Sequence, residues 1–110
     1  MAKIYFEKLN HLISQLNLDK DILRAIEVKH FFSGAALYIN NQICASWSPS
    51  GLAFKLPLQE VNSLINNGKA IPLRYFPKGN IKKDYAVFEE PDNKTAKYWQ
   101  PYFIKSFKQI

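Results

Sequence analysis

Cysteine is the first shortage, with Cys44 the single thiol in 110 residues. One thiol excludes an intramolecular disulfide framework and any zinc site built from several cysteines. Glycine is scarce as well, at four residues, and no Walker-type or dinucleotide-binding glycine pattern occurs. Histidine is limited to His11 and His30, which stand far apart without a carboxylate at ligand spacing, so no metal or cofactor is expected. No apolar run approaches the roughly 20 residues of a membrane-spanning helix. Lys3, Glu7 and Lys8 interrupt any apolar stretch of a secretory leader. The expectation is a cytoplasmic protein with no membrane contact.

What is present fits a folded domain. Hydrophobic residues make up 47% and charged residues 22%, enough apolar surface to avoid disorder. Aromatics reach 15%, with eight Phe and six Tyr, which points to a core built from rings. The length suits one domain over residues 1–110.

The net charge of +6 is unevenly spread. Cations and anions balance over residues 1–28, and the excess lies between 29 and 88. Its densest part holds Lys69, Arg74, Lys78, Lys82 and Lys83 with no acid between the first and last of them. Such a field attracts anionic partners, although basic surfaces also serve solubility alone.

Periodicity gives a coarse map. Ile4, Leu9, Leu12, Ile13 and Leu16 fall on one side of a first helix. Asp19 is placed to cap a short second turn carrying Ile22, Leu23 and Ile26. Strand character begins at Val28. Residues 35–39 and 43–47 form a hairpin about Asn40 and Asn41, since asparagine tolerates the positive φ of a tight turn. A turn at 48–51 leads into a strand at 52–56, which Pro57 ends. A helix over 58–66 turns Val61, Leu64 and Ile65 inward, with Asn67-Gly68 as its C-cap. Strands at 71–76 and 84–88 flank a loop from Pro77 to Asn80, and Pro91 ends the sheet. A last helix over 97–108 puts Trp99, Phe103 and Phe107 on one face, with Pro101 tolerated in its first turn. The class is α+β: an antiparallel sheet of five to six strands, with helices at the N-terminus, middle and C-terminus. Gly34, Gly51 and Gly79 mark structural turns.

Lys29-His30-Phe31-Phe32-Ser33-Gly34, the Tyr38 to Ala45 hairpin, Gly51 to Pro57, and Leu73 to Gly79 with Lys82, Lys83 and Tyr85 occur in that order. Together they resemble the N-terminal domain of the TfoX/Sxy family. Ser33 and Asn41 stand where many members carry glycine. The resemblance implies a fold similar to the secretion-chaperone-like class, in which related domains often dimerise. It also implies a link to bacterial competence regulation, in which full-length members act with the cAMP receptor protein. Those members carry a second, helical domain, so a stand-alone N-terminal domain is expected here. The resemblance supplies no catalytic residues.

Cys44 with His30 would be the obvious nucleophile and base, but Cys44 stands between Ile43 and Ala45 in a strand, the setting of a small core residue. The expected role is therefore non-enzymatic: a regulatory or protein-interaction module that binds a protein partner or a second copy of itself. Trp47, Tyr75, Tyr85, Trp99 and Tyr102 are its candidate contacts, against core packing as the plainer role for each ring. The alternative is a nucleic-acid-binding accessory protein using Lys69, Arg74, Lys78, Lys82 and Lys83, where cations and rings interleave as in single-strand binders. Strand alternation separates neighbouring residues onto opposite faces, which would divide the rings from the cations.

Overall fold

The computed structural model describes residues 2–74 and 81–110. Among them the elements run α1 (Ala2–Ser14), α2 (Lys20–Ala25), β1 (Ile26–Phe31), β2 (Gly34–Ile39), β3 (Gln42–Ser48), β4 (Gly51–Lys55), α3 (Leu58–Asn66), β5 (Ile71–Leu73), β6 (Lys82–Phe88), a 3-10 turn at Pro91–Asn93 and α4 (Ala96–Phe107). The six strands form one sheet in the order β1-β2-β3-β4-β6-β5, every neighbouring pair antiparallel. The α+β class and the placing of the helices are as the sequence led us to expect.

Local chemistry accounts for the elements. The Asp19 carboxylate accepts the Ile22 N–H at 2.9 Å and starts α2. Asn40 and Asn41 both take positive φ, 50° and 68°, at the β2–β3 turn. Gly68, at φ 73°, closes α3 while Lys69 N–H donates to the Leu64 carbonyl. Gly34 lies so close to β3 that a Cβ there would overlap the Trp47 carbonyl oxygen.

The helices pack on one face of the sheet. Leu9, Leu12 and Ile13 of α1, Val61 and Leu64 of α3, and Trp99, Phe103 and Phe107 of α4 join Leu37, Ala45, Leu52, Phe54 and Phe88 in the main core. Phe54 is its centre, with ring centroids of Phe103, Tyr102, Trp99 and Phe88 at 4.8, 5.6, 5.8 and 6.0 Å. The opposite face carries a second cluster of Ala53, Leu73, Tyr85 and Val87, which no described helix residue joins. Phe31 of β1 and Leu73 of β5, on strands at opposite edges, nonetheless line one cleft of about 60 Å³ with Ser46 and Ser48. Strands spaced about 4.8 Å apart would hold those edges roughly 24 Å apart in a flat sheet. The sheet therefore curls over its helix-free face, and the small residues Ala36, Ser46 and Ala53 fit the crowded inner side of that curve.

Several expectations need correction. Ile4 is 51% exposed, because it lies about 140° round the helix from Leu9. Leu23 is equally exposed, and Ile26 opens β1 rather than ending the second helix. Strand β1 thus starts two residues before Val28. Pro101 is the sixth residue of α4, beyond the first turn. The N–H it lacks would have bonded Lys97, and both residues are exposed, so water can take that carbonyl. The expected Pro77 to Asn80 loop, with Lys78, Gly79 and Tyr75, lies outside the described residues.

Candidate functional site

The basic segment that looks continuous in sequence is divided between the two ends of β5. Lys82 opposes Leu73 across the β5–β6 ladder, so Arg74, Lys82 and Lys83 gather at one end of this edge, all exposed. Lys69 is at the other end of β5, lining a cleft with Glu89 and Glu90, where anions offset its charge. Lys78 is outside the described residues. Of the five cations, three therefore share one location.

Beside those cations, Leu58, Val61 and Ile65 of α3 face Pro72 of β5 and Ile81 just before β6. Together with Lys82, Lys83 and Tyr85 they line an open groove of about 460 Å³. Its floor is apolar, and its rim carries Lys82 and Lys83. Leu58 and Ile81 are 54% and 40% exposed, a large apolar surface for α3 and the start of β6 to leave in water. Sequence reading missed this groove. The available signal was Leu58, which extends the Val61 and Ile65 stripe one turn beyond what the core covers, together with Ile81 isolated among polar residues.

The aromatic candidates occupy different settings. Trp47, Tyr85 and Trp99 are buried; the Trp99 Nε1–H donates to the Pro91 carbonyl at 3.3 Å, and Lys8 lies 5.4 Å from the centre of the Trp47 ring. Tyr102 is partly buried and packs against the main core. All four described rings hold the fold. Tyr85 alone also borders the groove. Tyr85 is buried while Lys82 and Lys83, at the start of β6, are exposed; alternation separates Tyr85 from Lys82 but sets Lys83 on the face of Tyr85.

Cys44 and His30 are not brought together as a reacting pair. They belong to β3 and β1, with β2 between them. The Cys44 thiol is fully buried and directed to the Leu37 carbonyl at 3.5 Å. Burial pushes its pKa up from 9.0 to about 12, against smaller lowering effects of a backbone hydrogen bond and Lys55. It is a thiol, not a thiolate, at neutral pH. His30 stacks on Phe6 with centroids 4.6 Å apart. Among the described residues, no three His, Cys, Asp or Glu side chains are grouped to hold a metal ion, and no helix is long and apolar enough to cross a membrane. No protein-family model, curated protein or solved structure matches the chain.

Proposed function

We propose that the chain is a non-enzymatic protein-interaction module, and that its partner presents an apolar segment flanked by acidic residues. The groove between α3 and the β5–β6 edge carries this reading: apolar floor, basic rim, and an open course along Leu58, Ile65, Pro72 and Ile81. Apolar side chains entering it would supply the contact energy, and acidic flanks would meet Lys82 and Lys83. A regulatory role similar to that of the TfoX N-terminal domain is consistent with the ordered motifs from Lys29 to Tyr85, and such a role would be exercised through this contact. The buried Cys44 and the Phe6-stacked His30 support reading the chain as a non-enzyme. Selection of displayed peptides on the immobilised chain tests the proposal. Enrichment of apolar–acidic peptides, with at least 10-fold weaker binding to Leu58→Glu, is expected. Peptides that bind wild type and Leu58→Glu alike would remove the groove from the function.

A further inference from the structure

Among the described residues β1 is an edge strand of the sheet, and its hydrogen-bonding parity can be read from its register. Phe31 and Gly34 close a two-residue turn, and Lys29 pairs with Ala36 and Glu27 with Tyr38. In such a hairpin the pair flanking the turn exchanges both backbone hydrogen bonds, and every second pair repeats it. The bond from Asn40 N–H to the Ala25 carbonyl, at 3.1 Å, continues the same series. Odd-numbered residues of β1 therefore point their backbone groups at β2, and Val28 and His30 point theirs outward. The Ile26 N–H is taken by the Ile22 carbonyl, which leaves the Ile26 carbonyl facing out. On the helix-free face, Glu27 and Lys29 are two residues apart, with side chains 64% and 45% exposed.

We infer that β1 pairs with β1 of a second copy, antiparallel and centred on Val28. This arrangement satisfies most of the outward groups: Val28 exchanges two hydrogen bonds with its counterpart, each His30 N–H donates to the Ile26 carbonyl across the dyad, and the His30 carbonyl, opposite the committed Ile26 N–H, is left to water. It also places Glu27 of each copy opposite Lys29 of the other, in non-hydrogen-bonded pairs whose Cα atoms approach to about 4.5 Å. Oppositely charged cross-strand pairs stabilise such a ladder, and like pairs destabilise it. Centring one residue earlier would set Glu27 against Glu27, and one residue later Lys29 against Lys29; both keep to the outward backbone groups, so it is the like charges that disfavour them. The charges thus select one register of an isologous contact, which joins two six-stranded sheets edge to edge. The contact is distinct from the α3 groove and does not depend on it.

A strand edge of this length buries little surface, so a weak dimer is expected and the concentration range must reach about 1 mM. Sedimentation equilibrium of the wild-type chain is compared with Glu27→Lys and Lys29→Glu, both surface changes whose folding is checked by circular dichroism. Each single variant should weaken self-association at least 10-fold, because each creates two like-charged pairs. An equimolar mixture of the two should restore association, since every cross-strand pair then becomes Lys against Glu. A wild-type chain that stays monomeric up to 1 mM overturns the inference, as does a dimer unaffected by either reversal or a mixture that fails to associate. A monomer that still selects apolar–acidic peptides would leave the groove reading standing.

Discussion

The Tyr85 hydroxyl donates a 2.9 Å hydrogen bond to the Ile43 carbonyl, crossing from β6 to β3 over the intervening β4. The bond exists because of an irregularity. Leu37 opposes Ala45 but Tyr38 opposes Ile43, so Cys44 is an extra residue that shifts the β2–β3 register. The β3–β4 pairing extends only from Ser48 back to Ala45, and Ile43 lies beyond it. A phenol lying across the inner face of the curled sheet takes the place of the missing ladder partner.

Removing that hydroxyl should therefore cost more than an exposed tyrosine would. Tyr85→Phe keeps the ring and leaves a partly buried carbonyl unpaired, for an expected loss of about 1–2 kcal/mol. Urea unfolding of the variant beside wild type measures it. Coincident transitions would mean that water replaces the phenol without penalty.

The same region shows what the sequence disclosed and what it withheld. The Asn40-Asn41 turn, the Asp19 cap and the Asn67-Gly68 ending of α3 were legible because each depends on a few adjacent residues. Strand order was not. Nothing local indicates that β6 lies between β4 and β5, an insertion that brings Lys69 beside Glu89 and Glu90 past the end of β6, while the extended β5 holds Lys69 and Arg74 at opposite ends. The four-residue spacing from Ile22 to Ile26 is that of a helix face; instead the Ile26 N–H caps α2 as the chain turns into β1. The groove escaped notice because its walls, α3 and the β5–β6 edge, meet only in three dimensions.

The turn glycines should rank by what surrounds them. A Cβ at Gly34 would overlap the Trp47 carbonyl, and one at Gly51, where φ is 134°, would overlap the Phe88 carbonyl. Both obstacles are backbone, which cannot swing aside. Gly68 has open space around it but a φ of 73°, so a side chain there meets conformational strain alone, about 1–2 kcal/mol. Alanine at Gly34 or Gly51 should lower the urea midpoint well beyond alanine at Gly68. Equal shifts at all three would show that the two close approaches relax.

Cys44 should give the fold an alkaline weakness. Its thiol pKa is raised from 9.0 to about 12 by burial, so in the folded chain the proton is retained while the unfolded chain releases it. Stability from this source is whole below pH 9 and falls as pH rises toward 12, by at most about 1.4 kcal/mol per pH unit. Burial raises the Tyr102 phenol too, which contributes in the same direction, so the informative quantity is a difference. Cys44→Ala should be less stable than wild type at pH 7, and the gap should shrink by about 2 kcal/mol between pH 8 and pH 10.5. A gap independent of pH would place the thiol in contact with water.

Amide exchange in β1 separates the single chain from the edge-paired one, residue by residue. In the Glu27→Lys variant, which should be monomeric, the Lys29 and Phe31 amides are bonded to β2 and exchange slowly. The Val28 and His30 amides face solvent and exchange quickly. The Ile26 amide is held by the Ile22 carbonyl in both forms and serves as an internal reference. In the wild-type chain at high concentration, Val28 and His30 should gain protection while Lys29 and Phe31 change little. Protection that rises uniformly along β1 would indicate general stiffening rather than pairing. Slow exchange at Val28 and His30 in the dilute monomer would reverse the parity of the strand and, with it, the edge contact.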